Sequence, residues 1–364
     1  MLVLALETSC DETAAAVVRD GVEVLSSVVA SQYDLHAEYA GVVPEIASRA
    51  HVEAVLPVVR EALEQAGCGL GMIDAIAVGN RPGLIGSLLV GVAAAKSLAW
   101  SLRKPLIGVD HVAAHVYSGM LERGAEGKSE QELFPALGLV VSGGHTAMYH
   151  VASWTQMHRI GTTIDDAMGE AYDKVATMMQ LPHPGGPNLD RLASDPSAND
   201  KAFDLPVSRL STTSLDFSFS GLKTSVLYTL RGVPGERGGT APLALTPATS
   251  RDLAASFQRA ACKAVTLKLT RAIEQARERD LIYRTLLCGG GVTANSRLRR
   301  ELLCFEASHK LGVRLPPMRY CMDNAAMIAG LGEQLLRSGQ RDGMALQATP
   351  TISIPAGPVH AGAR

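Results

Sequence analysis

The sequence predicts a duplicated α/β fold of two domains, and three observations carry that expectation. The chain has 364 residues, enough for two separate cores. A run of three hairpin-like strands at the N-terminus returns after Pro135. After each run, helices alternate with short buried strands, the pattern of an α/β sheet. Composition agrees: 47% hydrophobic and 19% charged residues describe a globular chain, and only 4% aromatics imply cores of Val, Leu and Ala.

Taken in order, LVLALETS, AAAVVRD and VEVLSSVVAS are strands within residues 2–31, with Asp20-Gly21 as a hairpin turn. Ile46–Ala66 has helical spacing and ends at Gly67, and Pro57 within it marks a kink or break. Ile73–Val78 is a buried strand and Gly79–Gly83 a loop. Leu84–Leu102 is a nearly all-apolar helix, expected to be buried for that reason. Leu106–Val109 is a strand, and Asp110 can cap a helix carrying His111 and His115. The second copy begins with strands Leu137–Val141, Ala147–Val151 and His158–Ile164 and a helix from about Ala167 to Met179. Thr285–Leu287 is a buried strand running into Cys288-Gly289-Gly290-Gly291. A helix, strand Val313–Leu315 and a helix from Asp323 follow. Residues 196–250 interrupt the rhythm, short of helix signals and ending in the Gly/Pro-rich GVPGERGGTAPLALTP, and Asp252–Arg279 is a long helix. The expected domains are 1–134, completed by a C-terminal helix at about 323–340, and 135–322 with its insertion, followed by a poorly ordered tail at 345–364. In such a duplicated fold, ligands are expected in the cleft between the halves, at the strand ends.

Charge and cysteines narrow the function classes. A formal net charge of −2 gives no global basic footprint, so an RNA partner needs a local patch or a second subunit. The N-terminus lacks a basic segment and a cleavage site, and no charge-free apolar stretch reaches membrane-spanning length, so no membrane partner is expected. Six cysteines without a CxxC pair read as reduced cytosolic thiols.

Several clusters suit chemistry. Leu139–Val141 run into Ser142-Gly143-Gly144 and then Ala147–Val151, a strand, a tight turn and a second strand. Two glycines there let a backbone pass close to a phosphate or acyl oxygen with its N–H groups turned inward, although such a turn is most often only a hairpin. His111 and His115, four apart on a helix, project from one face and suit two ligands of one metal. At this spacing they are more often ordinary helix residues, and without the Glu of HExxH a zinc protease lacks its general base. Asp323, expected to cap its helix, would add a carboxylate, and a two-His-one-Asp set favours Fe(II) or Zn(II). Glu7–Thr13 is dense in hydroxyls and carboxylates; a solvated turn is its plainer reading, a phosphate or metal-water loop the functional one. Asn295 follows the triple glycine at a strand-to-helix turn that can face a nucleotide. Asp166, Glu170 and Asp173 share a helix face, Glu170 can pair with Lys174, and Asp190 follows the turn Pro184–Pro187. Arg271, Arg277, Arg279, Arg284, Arg297, Arg299 and Arg300 are candidates for a basic patch.

Assembled in order, the motifs LALETSCDETAAAVV, PEIASRAH, PGLIGSLLVG, DHVAAH, LVVSGGHT, DDAMGEAYDKVA, PGGPNLDRLA, DFSFSGLKT, AASFQ, GGGVTANSRLR and CMDNAAMIA resemble the TsaD (Gcp, Kae-type) family over about residues 1–340. These are tRNA N6-adenosine threonylcarbamoyltransferases of the ASKHA fold, the class of actin, Hsp70 and sugar kinases. The resemblance implies His111, His115 and Asp323 as ligands of one divalent metal, Fe(II) first and Zn(II) second. It implies Val140, Val141, Ser142, Gly143, Gly144, Asp173, Gly186, Asp190 and Asn295 as binders of threonylcarbamoyl-adenylate. Asp11 and Glu12 fall in the family's first motif, with Asp11 the catalytic candidate. The implied reaction moves the threonylcarbamoyl group to N6 of adenosine 37 in tRNAs reading ANN codons, releasing AMP. Implied partners are tRNA, a TsaB-like paralogue, a TsaE-like ATPase and a separate synthase of the adenylate, in the cytoplasm. Two departures stand out: Arg81 precedes Pro82-Gly83-Leu84 where the family usually has glycine, and Val140 stands where the archaeal type has a tyrosine ligand, as in the bacterial type. Rival classes are a metalloprotease, a non-catalytic ATP-binding or chaperone-like module, and a sugar or acetate kinase.

Overall fold

The computed structural model describes every residue except 37, 38, 40, 41, 124–129, 209, 233–242, 353 and 358–364. Its elements begin with β1 (Leu2–Glu7), β2 (Glu12–Arg19), β3 (Glu23–Ser31), α1 (Tyr33–His36), α2 (Pro44–Gln65), β4 (Ala75–Arg81), α3 (Ile85–Leu102), β5 (Leu106–Asp110), α4 (His111–Tyr117) and α5 (Glu130–Leu133). They continue with β6 (Ala136–Val141), β7 (Thr146–Ser153), β8 (Gln156–Thr162), α6 (Met168–Met178), α7 (Gly185–Ala193), α8 (Ser220–Arg231) and α9 (Pro247–Arg277). Strand β9 (Thr285–Gly289), α10 (Ser296–His309), β10 (Gly312–Arg314) and α11 (Ala325–Arg337) complete the order.

The chain divides into two compact units. One comprises Met1–Phe134, Val151–Met157 and Arg314–Pro355; the other Pro135–His150, His158–Val313 and Ala356–Arg364. Among the described residues there are two five-stranded sheets, ordered β3-β2-β1-β4-β5 and β8-β7-β6-β9-β10. The two orders are the same sequence of roles, which is the duplication expected from the repeated strand runs. In the first sheet β1 pairs antiparallel with β2 and parallel with β4, and in the second β6 pairs parallel with β9.

Local chemistry explains the first sheet. Asp20 and Gly21 have φ of 50° and 74°, and Val22 N–H reaches Arg19 O at 3.3 Å, a tight turn with both central residues left-handed in the connection that joins β2 to β3, where Arg19 pairs with Glu23. Alternate residues Leu4, Leu6, Val17, Ile76 and Val78 bury themselves with Val55, Val58 and Val59 of α2 and Val92 and Ala95 of α3. Helix α11 packs against β1, β2 and β4.

Several expectations change. Helix α2 runs unbroken through Pro57, which lies on its exposed side, where the carbonyl freed by the missing N–H meets water. Strand β4 extends through Gly79 to Arg81, so the expected loop starts later. Helix α3 is not buried all round. It is long and apolar enough to cross a membrane by length and composition, yet Leu88, Val92, Ala95 and Ala99 pack in the core while Ile85, Leu89 and Trp100 are exposed. The stretch from Leu346 to Gly357 is tied down where described: Thr349 N–H reaches Asn80 O at 2.9 Å, Gly357 N–H reaches Arg159 O at 3.1 Å, and Leu346 is buried. An expectation of disorder from 345 therefore fails there, and residues 358–364 lie outside the described ones, as do 233–242 of the Gly/Pro-rich stretch.

The insertion holds a helix the sequence did not signal, α8. Its start is supplied from far upstream: Asp165 accepts from Ser218 Oγ (2.6 Å), Phe219 N (2.8 Å), Ser220 N (3.3 Å) and Ser220 Oγ (2.7 Å). Asp166 beside it takes Lys174 Nζ at 2.8 Å and Lys223 Nζ at 2.6 Å. Burial would raise both carboxyls, but these donors outweigh it and hold them below the usual Asp value. Their contribution is therefore complete above the ordinary Asp range and is withdrawn as pH falls through the lowered values. Asp165→Ala is expected to lower unfolding free energy by about 1–2 kcal/mol at neutral pH, as for loss of a helix cap. The gap from wild type should shrink on acidification in urea titrations; an unchanged midpoint at neutral pH would contradict the cap.

Candidate functional site

In the first unit, β5 passes into α4 at Asp110, whose Oδ1 accepts from Val112 N (2.9 Å) and Ala113 N (3.1 Å) and fixes the start of the helix. His111 and His115 follow one turn apart, nearly fully buried, their ring centroids 4.6 Å apart at 83°. Asp323 does not cap α11. Asn324, one residue nearer the helix, takes that role by accepting from Met327 N at 3.0 Å, which leaves the Asp323 carboxylate to face the imidazoles. Its Oδ1 lies 3.1 Å from His115 Nε2 and 3.5 Å from His111 Nε2, and one ligand atom from each of the three residues lies within 4.8 Å of the others.

That donor set fits a metal. Two ligand atoms sharing an ion at about 2.0–2.2 Å stand roughly 3.0–3.5 Å apart, and two imidazoles with one carboxylate suit borderline divalent ions. The electrostatics show a site that favours positive charge, which a proton on His111 supplies when no ion is bound. Burial opposes a charge on His111, but Glu7 and Asp323 outweigh it and raise its pKa well above the usual imidazole range. Burial holds His115 below that range. Burial would raise Asp323, but the two histidines hold it well below.

The turn after β1 is more than a solvated loop. Glu7, Thr8 and Ser9 are buried. Glu7 Oε2 lies 3.1 Å and Ser9 Oγ 3.2 Å from His111 Nδ1, the ring nitrogen away from Asp323, and Ser9 N–H donates to Glu7 Oε1 at 2.6 Å. A carboxylate behind a histidine in this way fixes ring orientation and tautomer. Room for the turn comes from glycines: an added Cβ at Gly79, Gly83 or Gly91 would strike Glu7, Ser9 or Thr8 respectively. His51, from PEIASRAH, is buried and held below its usual pKa by that burial. As a neutral ring it donates Nε2–H to Cys10 O at 3.0 Å and accepts from Thr13 Oγ1 at 2.8 Å, pinning the segment that carries half-buried Asp11 and Glu12. Glu12 is pushed up to about 9 by burial and by Asp323 and Asp11. Burial and Asp11 also raise the Cys10 thiol, which stays protonated and inert.

In the second unit, Ser142 N–H reaches His145 O at 2.7 Å and closes the turn between β6 and β7. Val140 and Val141 have fully buried side chains, so only their main chain can meet a ligand. Gly143 and Gly144 are exposed, and an added Cβ at either would meet nothing, leaving their backbone open to an incoming group. Asp173 Oδ1 accepts from Gly186 N at 3.2 Å, joining two of the expected binders. Asp190 and Asn295 are joined through Gln258, a buried residue whose only sequence signal is its place in the AASFQ motif. Glu170 pairs with Lys174 at 2.7 Å as expected. The arginine cluster is partly committed elsewhere: Arg297 bridges Asp200 and Glu301, Arg271 holds Ser211 O, and Arg299 holds Thr293 O.

A family model described as TsaD, tRNA N6-adenosine threonylcarbamoyltransferase, matches residues 23–330. The chain belongs to this family. A relative named tRNA N6-adenosine threonylcarbamoyltransferase from Trichlorobacter lovleyi is 48% identical over 351 residues, 96% of each chain. One of the same name from Symbiobacterium thermophilum is 48% identical over 362 residues, 98% of each. The chain is accordingly an enzyme, a transferase that forms threonylcarbamoyladenosine in tRNA, and the protease, chaperone and kinase readings are not favoured. Among solved structures, HypF from T. kodakarensis superposes with a TM-score of 0.57 at 16% identity, covering 93% of this chain and 48% of that one; this likeness concerns the ASKHA-like fold alone.

Proposed function

We propose that His111, His115 and Asp323 hold one divalent metal, Fe(II) in the first place and Zn(II) in the second, and that the donor is threonylcarbamoyl-adenylate. The single observation that carries the metal assignment is the convergence of the three ligand atoms within 4.8 Å. When bound, such an ion supplies a Lewis acid or an anchor for the threonyl end of the donor. The recipient is N6 of adenosine 37 in tRNAs reading ANN codons. Its amine is a weak nucleophile because the lone pair is delocalised into the ring. It attacks the carbamoyl carbon, the phosphate oxygen of AMP leaves, and the amine proton passes to a base.

The open Gly143–Gly144 backbone suits the charge that develops on oxygen during this attack; Ser142, whose N–H is held by His145 O, shapes the turn that presents it. Asp173, Gly186, Asp190 and Asn295, with the main chain of Val140 and Val141, hold the nucleotide part. Asp11 takes the proton. Asp11→Ala is expected to lower transfer by about 10²–10⁴-fold, as for loss of a general base. The assay incubates the protein with threonylcarbamoyl-adenylate and unmodified ANN-decoding tRNA, with and without partners, and weighs the nucleosides after digestion. Threonylcarbamoyladenosine should form, and full transfer by the variant would remove Asp11 from this role.

A TsaB-like paralogue, a TsaE-like ATPase and a separate adenylate synthase complete the pathway in this reading. Exposed apolar residues on adjacent helices, Val52 and Leu56 of α2 with Ile85, Leu89 and Trp100 of α3, support a helical subunit interface there. Work on tRNA supports a cytoplasmic location.

A further inference from the structure

The second unit contains a closed polar chain whose every direction is forced. Leu298 N–H, which can only donate, reaches Asn295 Oδ1 at 2.9 Å. This turns Asn295 Nδ2 outward, where it donates to Gln258 Oε1 at 2.9 Å. Gln258 must then present Nε2, and it donates to Asp190 Oδ1 at 2.9 Å, a carboxylate that can only accept. The loop is completed by Ser296, whose N–H reaches Asp190 Oδ2 at 3.0 Å and whose Oγ reaches Asp190 Oδ1 at 2.8 Å. Gln258 is 2% exposed and Asn295 8%. Buried amides satisfied at both ends have one orientation and keep it.

We propose that Gln258 is a positioning residue for the donor: its amide locks the Asn295 side chain and the Asp190 carboxylate into the geometry that receives the nucleotide. The inference rests on the reading of Asp190 and Asn295 as nucleotide binders. Gln258 reaches both from α9, an element that supplies none of the expected binders, while its neighbours Phe257 and Arg259 are committed to the core and to Asp200 O. Asp190 Oδ1 already accepts two hydrogen bonds and Oδ2 one, so its remaining acceptor capacity is aimed by the Gln258 and Ser296 donors. Without Gln258, the Asp190 carboxylate loses that aim.

The test uses AMP, the nucleotide half of the donor, titrated calorimetrically against the full chain from pH 8 to pH 6. Gln258→Glu keeps the shape and sets a carboxylate against Asp190. At pH 8 it should bind AMP about tenfold more weakly, the loss expected for one charge-assisted hydrogen bond. Two carboxylates sharing a site take up a proton more readily than one, and the introduced carboxyl, once protonated, can donate as the amide did. The deficit should therefore close toward pH 6, which a general loss of packing would not do. Gln258→Met, close in volume but unable to donate, should show a similar deficit at pH 8 and no recovery. Transfer kinetics of both variants should show a raised KM for the donor with kcat within about twofold, since the interaction acts on binding. AMP binding at wild-type strength by Gln258→Glu and Gln258→Met at pH 8 would overturn the inference, as would a deficit in Gln258→Glu that pH does not change. AMP binding at wild-type strength by Asp190→Ala and Asn295→Ala would instead overturn the reading on which it rests.

Discussion

His111→Ala should lose metal and transfer together. The imidazole supplies one of the three ligand atoms that converge within 4.8 Å, and no other described donor group replaces it there. Loss of an outer partner that orients a metal-bound histidine costs about 10–100-fold in affinity, so loss of the ligand itself should cost more than about a hundredfold. Glu7→Gln provides the graded comparison. It keeps the volume of a fully buried side chain but removes the charge 3.1 Å from His111 Nδ1, so its metal affinity should fall by about 10–100-fold. Metal content measured by mass spectrometry and affinity by calorimetry separate the two variants independently of activity. Wild-type protein stripped by a chelator should transfer no better than His111→Ala and recover when Fe(II) is returned. A His111→Ala protein with full metal content and full transfer would sink the assignment.

The parts of this site legible in the sequence are those fixed by local rules. The His111/His115 spacing and the Asp110 cap follow from one turn of helix, and elsewhere in the fold the Asp20-Gly21 turn follows from the demand for positive φ. What was missed depends on a one-residue difference in where a helix begins or on residues far apart in the chain. Asp and Asn are both good caps, so Asp323 and Asn324 differ only by where the helix begins, and one residue decides which faces the histidines. Helix α8 begins after Phe219, which has no capping side chain, and Asp165 supplies the cap from 53 to 55 positions away. The burial of Glu7–Ser9 depends on glycines in β4, the turn after it and α3, which no reading of the turn alone contains. Helix α3 shows the opposite error: apolar residues all round suggest full burial, yet one face packs on the sheet and the other is exposed.

Gly290→Ala should be among the most destabilising single changes in the second unit. Gly290 has φ 92° and ψ 154°, a region that is nearly glycine-only and costs an L-residue about 1–3 kcal/mol. Space adds to this, because an added Cβ would strike the main chain of Val141 at the end of β6, and backbone in a paired strand cannot swing aside as a flexible side chain would. Overpacking of that kind costs about 1–3 kcal/mol more, so the sum is roughly 2–6 kcal/mol. The carbonyl of Gly290 also accepts from Thr293 N at 2.9 Å and Thr293 Oγ1 at 2.7 Å, which ties any backbone shift to the segment leading into Asn295. Urea unfolding should show the loss directly, and a midpoint within error of wild type would refute both the strain and the clash. Gly143→Ala is the matched control. Its Cβ meets nothing and its backbone is not at positive φ, so stability should change by less than about 0.5 kcal/mol. If the donor approaches the open backbone there, the same added methyl should still lower transfer. Strain from the folded chain and contact with an incoming ligand thus separate at two glycines, Gly290 and Gly143.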